Sequence, residues 1–361
     1  MADEPSRYTL TDITYLGRQG VKLTAVILVL LIVGRTTLEL FAGYWRATHP
    51  APPPPPTVGF GLLPTIEFPP PADNQPPASP SQLVLETATG GLPEFSDRAK
   101  VFFMPSSQLG LFDEERAQRI AANLGFTKGP HKTGTRIFRW TKSSPLTATF
   151  QLDIQSLEFS ITTDFLERPE LLSNDLPSSR QAVERVKSLI ASVQPLPEDL
   201  VQAPAEVTLL ESLGTGDLQP AIAPVYADFY QVDINRTPID DQFKVYTPVA
   251  SRGIVHAVVA GGLGSSDSVV LLEFEYRPVD YTQVHTYPLR SVQTAWRQLQ
   301  TGAGYIASPP DTNQSRVVVR EVELGYYDDF ADQSYLQPIY VFVGDGGFLG
   351  YVSAIDPKAL Q

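Results

Sequence analysis

Residues 22–56, KLTAVILVLLIVGRTTLELFAGYWRATHPAPPPPP, contain one hydrophobic segment that runs directly into a tract of prolines. Leu23–Gly34 is almost entirely aliphatic, and Tyr44 and Trp45 follow near the end of the apolar stretch. Five consecutive prolines, Pro52–Pro56, come soon afterwards. This order is typical of a membrane-spanning helix, an aromatic anchor at the membrane interface and a stiff spacer that holds a folded domain away from the bilayer.

The aliphatic run is too short to cross a bilayer alone, because a hydrocarbon layer of roughly 30 Å needs about 20 helical residues. A transmembrane helix is therefore expected over residues 22–45, and it includes Arg35 and Glu39. These residues are four positions apart, so they lie on one helix face and form a transmembrane charge pair. The alternative is a cleaved signal peptide, but no convincing small-x-small cleavage site follows the apolar run.

Basic residues predict the orientation of this helix. Arg18 and Lys22 flank its N-terminal end, whereas only Arg46 follows closely on the other side. By the positive-inside rule, residues 1–21 are cytoplasmic and the C-terminal part of the chain lies outside. The sequence thus predicts a single-pass protein of the cell (inner) membrane with extracytoplasmic domains.

The net charge of −13 is concentrated towards the C-terminus. Residues 198–361 contain 9 basic and 21 acidic residues, a net charge of −12. Such a surface argues against nucleic acid as a partner and against lying flat on anionic lipid, and it favours solubility or a partner with basic character. A homo-oligomer is left open. The absence of cysteine excludes disulfides and thiolate metal sites, so the extracytoplasmic part depends on its own hydrophobic core.

The predicted organisation beyond the helix is a proline-rich linker over residues 46–82 followed by two α+β units, at residues 83–194 and 195–361. Each unit is predicted as helix packed on an antiparallel sheet, with helices near 113–124, 179–193 and 291–300. Within the linker, Val58–Phe68 is too apolar for a free tether. It is expected to dock in extended form on the folded domain; the alternative is a mobile linker.

Several segments of the C-terminal unit form a set with a familiar order: helix, strand ending in Gly-Tyr-Tyr, strand opening on Pro and an aromatic residue, then Tyr-Val-x-Ala. The segments are Ala295-Trp296, Gly302, Val322–Tyr327, Gln337–Phe342 and Tyr351–Ala354. The set resembles the end of the YycH/YycI-type extracytoplasmic regulatory proteins, which share a fold with PepSY and beta-lactamase-inhibitor-like domains. The resemblance covers roughly residues 290–355, with weaker echoes at 113–190. It implies a PepSY-like fold and, as partner, a membrane sensor kinase of cell-wall homeostasis.

Motifs of catalysis are missing from the sequence. Neither Gly-x-Ser-x-Gly nor Ser-x-x-Lys with its partners occurs, and the four histidines have no metal-ligand spacing. Glu273 and Glu275 alternate on a predicted strand, which does not by itself support a glycosidase. Asp328, Asp329 and Asp332 share one loop, so calcium binding there is left open. The sequence therefore predicts no enzyme, no cofactor and no metal site.

One cationic patch interleaves basic residues with aromatic ones. Its basic residues are Lys128, Lys132, Arg136, Arg139 and Lys142. Such a patch is suited to an anionic cell-wall polymer, lipid head groups or the acidic domain of a neighbouring copy; the alternative is an ordinary hairpin with charged exposed faces.

The favoured function is a non-catalytic binding or regulatory protein that acts on another membrane or envelope protein. One alternative is a structural or assembly component of an envelope complex, which docks through its transmembrane helix and the Arg35–Glu39 pair. A less favoured alternative is a ligand-binding module or an enzyme whose site has no local motif.

Overall fold

A computed structural model of the chain describes residues 10–48, 55–70, 82–106, 110, 113–169, 175–213, 217–310 and 316–361. It contains two compact units, Met1–Pro55 and Pro56–Gln361. In the first unit, helix α1 spans Leu10–Thr48, and its part Gly17–Ala42 is long and apolar enough to cross a membrane. At 1.5 Å per residue this part is about 39 Å long, which exceeds a hydrocarbon layer of roughly 30 Å. Residues 49–54, with three of the consecutive prolines, lie outside the described residues.

The described residues of the second unit form two sheets and four helices. The helices are α2 (Asp113–Asn123), α3 (Ser179–Val193), α4 (Glu198–Val201) and α5 (Val292–Gln300). The strands are β1 (Gln82–Leu85), β2 (Arg98–Phe103), β3 (Lys128–Thr133), β4 (Ile137–Lys142), β5 (Ala148–Asp153), β6 (Phe159–Thr163), β7 (Ala205–Ser212), β8 (Leu218–Pro220), β9 (Phe229–Ile234), β10 (Val245–Tyr246), β11 (Val255–Ala260), β12 (Val269–Phe274), β13 (Asp280–Pro288), β14 (Tyr305–Ser308), β15 (Arg316–Tyr327), β16 (Tyr335–Gly344) and β17 (Leu349–Ser353).

The larger sheet has nine antiparallel strands in the order β3-β4-β5-β6-β12-β11-β9-β7-β8. Helices α2 and α3 bury their apolar stripes against one face of it. Helix α3 begins after Ser178, whose side chain accepts a hydrogen bond from the backbone N–H of Gln181 in a reciprocal capping box. Its buried residues recur at helical spacing: Ala182, Val186, Leu189, Ile190 and Val193.

The smaller sheet has eight strands and follows the order β1-β15-β16-β17-β14, with β10 beside β15 and β2 between β13 and β16. Strands β1 and β10 run parallel to β15, and the other pairs are antiparallel. Helix α5 packs on this sheet through Trp296, whose ring centroid lies 5.5 Å from that of Phe342. A second helix-covered core therefore forms on this sheet.

The mixed α+β class predicted from the sequence is confirmed, but the arrangement in two consecutive helix-on-sheet units is not confirmed. Strand β6 precedes the expected boundary at residues 194 and 195, yet it pairs with β12, where Phe159 lies opposite Phe274. Strands β1 and β2 also precede that boundary and pair with β15, β13 and β16 in the other sheet. The hydrophobic pattern of a strand predicts which face is buried but not which strand lies beside it.

Residues 56–68, called the strap below, begin the second unit and dock on the rest of it, as the sequence predicts for Val58–Phe68. Leu63 is completely buried and forms a parallel bridge with Leu360. The backbone N–H of Val58 donates to the carbonyl of Thr286 at 3.0 Å, and a turn follows at 58–61, so the strap is not extended throughout. The burial of Leu63 and the partial burial of Phe60, Ile66 and Phe68 thus explain why this segment is more apolar than a free tether.

Aromatic contacts hold both ends of the strap. The Phe60 ring meets the His285 ring edge-on, with centroids 4.6 Å apart. Phe68 stacks on Tyr305 with centroids 5.0 Å apart and contacts Tyr327 edge-on at 4.9 Å. Such pairs add stability beyond the apolar area that they bury. The strap is therefore part of the folded unit.

The stability of the second unit is expected to fall in alkali because of Tyr340. Burial raises the pKa of its hydroxyl to about 12, and the hydroxyl donates a hydrogen bond to the carbonyl of Arg290 at 2.8 Å. The unfolded chain ionises near pH ~10, so this contribution is complete below that pH and is lost as the pH rises to about 12.

Over that range, the unfolding free energy should fall by about 3 kcal/mol more in the wild type than in Tyr340→Phe. Urea unfolding of both proteins near neutral pH and in alkali measures the difference. If the unfolding free energies of the two proteins fell in parallel with rising pH, the loss of stability could not be attributed to the Tyr340 hydroxyl.

Candidate functional site

The predicted cationic patch lies on the β3–β4 hairpin and its neighbours, and each basic side chain has a partner within 2.7–3.0 Å. The partners are Ser143 for Lys128, Glu114 for Lys132, Asp153 for Arg136, Gln151 for Arg139 and Asp267 for Lys142. Three of these partners are carboxylates, which neutralise much of the local positive charge. The patch is therefore a weaker anion-binding surface than the sequence predicts.

The aromatic residues interleaved with the patch belong to the hydrophobic core. Phe126, Phe138 and Trp140 are at most 2% exposed. Alternation along β4 places Phe138 and Trp140 on the side covered by the helices, while Arg139 points to the other side. The basic residues and the aromatic residues thus do not form one surface that could stack on a ligand.

The acidic loop after β15 does not gather its three carboxylates. Asp328 is buried and binds Arg236, whereas Asp332 is exposed and pairs with Arg277 at 3.2 Å. Within the described part of the chain, no group of three or more histidine, aspartate or glutamate side chains is placed to hold a metal ion. The arrangement of this loop is explained by ion pairs between the two sheets.

A buried ion-pair network at Arg236 is the strongest electrostatic feature that sequence reasoning missed. The Arg236 guanidinium, 1% exposed, donates from Nε to Asp328 at 2.7 Å and from Nη1 to Asp199 at 2.6 Å. It also lies over the Tyr276 ring at 4.4 Å. Burial alone would lower the pKa of Arg236, but the carboxylates of Asp328 and Asp199 raise it above its ordinary value. The network fixes the 328–332 loop against the nine-stranded sheet.

The carboxylates noted on β12 and just after it form ion pairs. Nη2 of Arg252 donates to Glu275 at 2.9 Å and forms an ion pair with Glu273 at the same distance. On the neighbouring strand, Nδ1 of His256 lies 2.8 Å from Asp233. These contacts cross-link adjacent strands of the nine-stranded sheet.

A cavity of about 510 Å³ lies between α3 and one end of strands β4, β6 and β12 of the nine-stranded sheet. Its polar lining includes the Lys142–Asp267 ion pair, 2.8 Å long, and Arg185, which donates to Ser268 at 3.0 Å. Leu146 and Leu189 contribute apolar surface. The cavity has the size of a small-molecule site, and no local sequence motif marks its lining.

The most exposed apolar surface of the second unit lies in the turn between β8 and β9. Ile222, Val225 and Tyr226, called the apolar turn below, are 92%, 75% and 60% exposed. Strand β8, which leads into the turn, has only three residues and lies at the edge of the nine-stranded sheet. An apolar group beside a sheet edge is typical of a surface that binds another protein.

The predicted transmembrane charge pair, Arg35 and Glu39, lies on α1. Nε of Arg35 donates to Glu39 at 2.9 Å, as the four-residue spacing predicts, and the two side chains are 82% and 64% exposed. Both residues belong to the apolar part Gly17–Ala42. Arg18 and Lys22 are also exposed in this part, but they lie near its N-terminal end, whereas Arg35 and Glu39 form an ion pair in its C-terminal half.

Comparisons with known proteins give no family for this chain. No family model matches it, and none of the curated proteins matches. Among solved structures, it is similar to an uncharacterized protein from Eubacterium rectale ATCC 33656, with 11% identity over 72% of this chain and 84% of that one. The TM-score of 0.39 is too low to support an argument about fold or function.

Proposed function

We propose that the chain is a membrane-anchored, extracytoplasmic and non-catalytic protein that binds and regulates another envelope protein. Anchoring in the cell (inner) membrane is supported by the length and apolar character of Gly17–Ala42. The cytoplasmic placement of residues 1–21 is supported by the basic residues Arg18 and Lys22. Protease accessibility of tags at the two sides of α1 in intact cells tests the orientation.

The observation that carries the binding function is the apolar turn. Three large apolar side chains that point into solvent cost solubility and contribute little to the fold, so a partner that covers them explains their exposure. They belong to the strongly acidic 198–361 region, which favours a partner with basic residues around an apolar centre. The resemblance to YycH/YycI-type regulators adds a sensor kinase as a candidate for that partner.

Photo-crosslinking in native membranes tests this proposal. A photo-reactive residue is placed at Ile222, Val225 or Tyr226 in the full chain, and at the exposed polar residue Gln283 as the matched control. We expect the three turn positions to capture one and the same envelope protein, which the control position does not capture. Ile222→Ser and Tyr226→Ser should then weaken binding of the purified partner by about tenfold or more.

A small-molecule role is the second candidate, and the cavity beside α3 is the observation that favours it. If no protein is captured at any turn position, the binding proposal is wrong and this candidate becomes the stronger one. The rival role as an assembly component predicts a different result: an unrelated transmembrane helix would preserve anchoring but abolish function.

A further inference from the structure

We infer that α1 pairs in the membrane with α1 of a second copy of this chain, with Arg35 of each copy bound to Glu39 of the other. The inference rests on the proposed membrane placement of α1. It names the partner of the transmembrane charge pair, which the proposed function leaves open.

The hydrogen bonding of Arg35 is incomplete. A guanidinium has five N–H donors, and within the described residues the contact of this one is the single bond from Nε to Glu39. In a bilayer, polar groups without water must find partners in protein. The exposed Nη groups of Arg35 and the second carboxylate oxygen of Glu39 therefore favour a neighbour that carries the opposite charges.

Depth in the membrane strengthens this argument for Arg35. The apolar part runs over Gly17–Ala42, so at 1.5 Å per residue Arg35 lies about 8 Å from its midpoint and Glu39 about 14 Å. With a hydrocarbon half-thickness of roughly 15 Å, Arg35 lies inside the apolar layer and Glu39 near its boundary. Arg35 is thus the residue that gains most from a protein partner.

A second copy supplies the matching groups by symmetry. Copies of one chain enter the membrane in the same orientation, so their α1 helices run parallel, and a two-fold axis makes both cross-pairs at once. The two residues are one helical turn apart, about 6 Å along the axis, which a long arginine side chain can bridge. Gly34 adjoins the pair, and a Cβ there would have no heavy atom within 4 Å. This small residue allows close approach of a second helix.

Complementary charge reversal tests the pairing in full-length chains. Two differently tagged copies are co-expressed, and their co-isolation from mild detergent is quantified. Arg35→Glu or Glu39→Arg in both copies should lower co-isolation by about tenfold, because each reversal places like charges opposite one another. One copy with Arg35→Glu and the other with Glu39→Arg should restore it, because every cross-pair is again attractive.

Thr37→Glu provides the matched control, since it adds a charge at a depth between Arg35 and Glu39 but 200° around the helix from Arg35. It should leave co-isolation unchanged. Equal co-isolation of the wild type and the single reversals, or no recovery in the mixed pair, would overturn the inference. Membrane fractionation of every variant is measured in parallel, so loss of anchoring, which would count against the proposed function, is seen separately.

Discussion

Arg236→Met is expected to lower the free energy of unfolding by about 3–5 kcal/mol, because it leaves two buried carboxylates without their cation. Asp199 and Asp328 both receive hydrogen bonds from this guanidinium, and Asp328 is 1% exposed. Removal of the charge also removes the cation from the Tyr276 ring. Urea unfolding of the full chain, followed by tryptophan fluorescence, measures the loss.

Lys100→Met is the matched control for that experiment. It breaks the Lys100–Asp240 pair, 2.8 Å long, in which the side chains are 43% and 45% exposed. An exposed pair contributes only about 0–1 kcal/mol, so this variant should unfold almost as the wild type does. Addition of Asp328→Asn to Arg236→Met should recover part of the loss, since it neutralises one stranded charge. If Arg236→Met and Lys100→Met had equal effects, the buried network would not stabilise the fold.

Leu63→Ala is expected to lower the free energy of unfolding by about 2–5 kcal/mol, the range for truncation of a buried leucine. Leu63 is 0% exposed, and it contacts a core that includes Val101, Tyr287 and Ile355. A residue in a free linker would give no such effect. The same urea titration, together with the rate of proteolysis within the strap, measures the outcome.

The adjacent Leu62 offers a control with the same chemistry in the same segment. Leu62 is 54% exposed, so Leu62→Ala should change the free energy of unfolding by less than about 0.5 kcal/mol. Similar small effects of both variants would mean that the strap unfolds independently of the second unit. A large effect of Leu63→Ala alone supports its place in the cooperative core.

The sequence predicts elements well where one face is continuously apolar. The helices predicted near 179–193 and 291–300 correspond to α3 and α5, which span Ser179–Val193 and Val292–Gln300. Strand β13 has no such signal, because Asp280–Pro288 is largely polar and most of its residues stay partly exposed. It forms through backbone pairing with β2, a contact that no local pattern encodes.

The same contrast between local and distant contacts separates the candidate site features that the sequence predicts from those that it does not. The Arg35–Glu39 contact was predictable, because both residues belong to one helix turn. The partners of Arg236 lie 37 and 92 positions away, so no spacing rule points to them. For the cationic patch, the charges are visible in the sequence, but carboxylates that pair with them come from distant segments such as the loop at Asp267.

The contact between the strap and the last residues of the chain has a consequence for biosynthesis. Leu62 and Gln361, which are joined by a hydrogen bond, are 299 positions apart, and the N–H of Gln361 also donates to the carbonyl of Leu63 at 2.8 Å. A ribosome makes the strap long before it makes these partners, so the bonds of Leu62 and Leu63 to residues 359–361 can form only after synthesis reaches those residues. A chain cut short before residue 359 would keep both helix-covered sheets and the aromatic contacts of Phe60 and Phe68, but Leu63 would lose its backbone bonds to Ala359 and Gln361, which should make the strap a site of faster proteolysis.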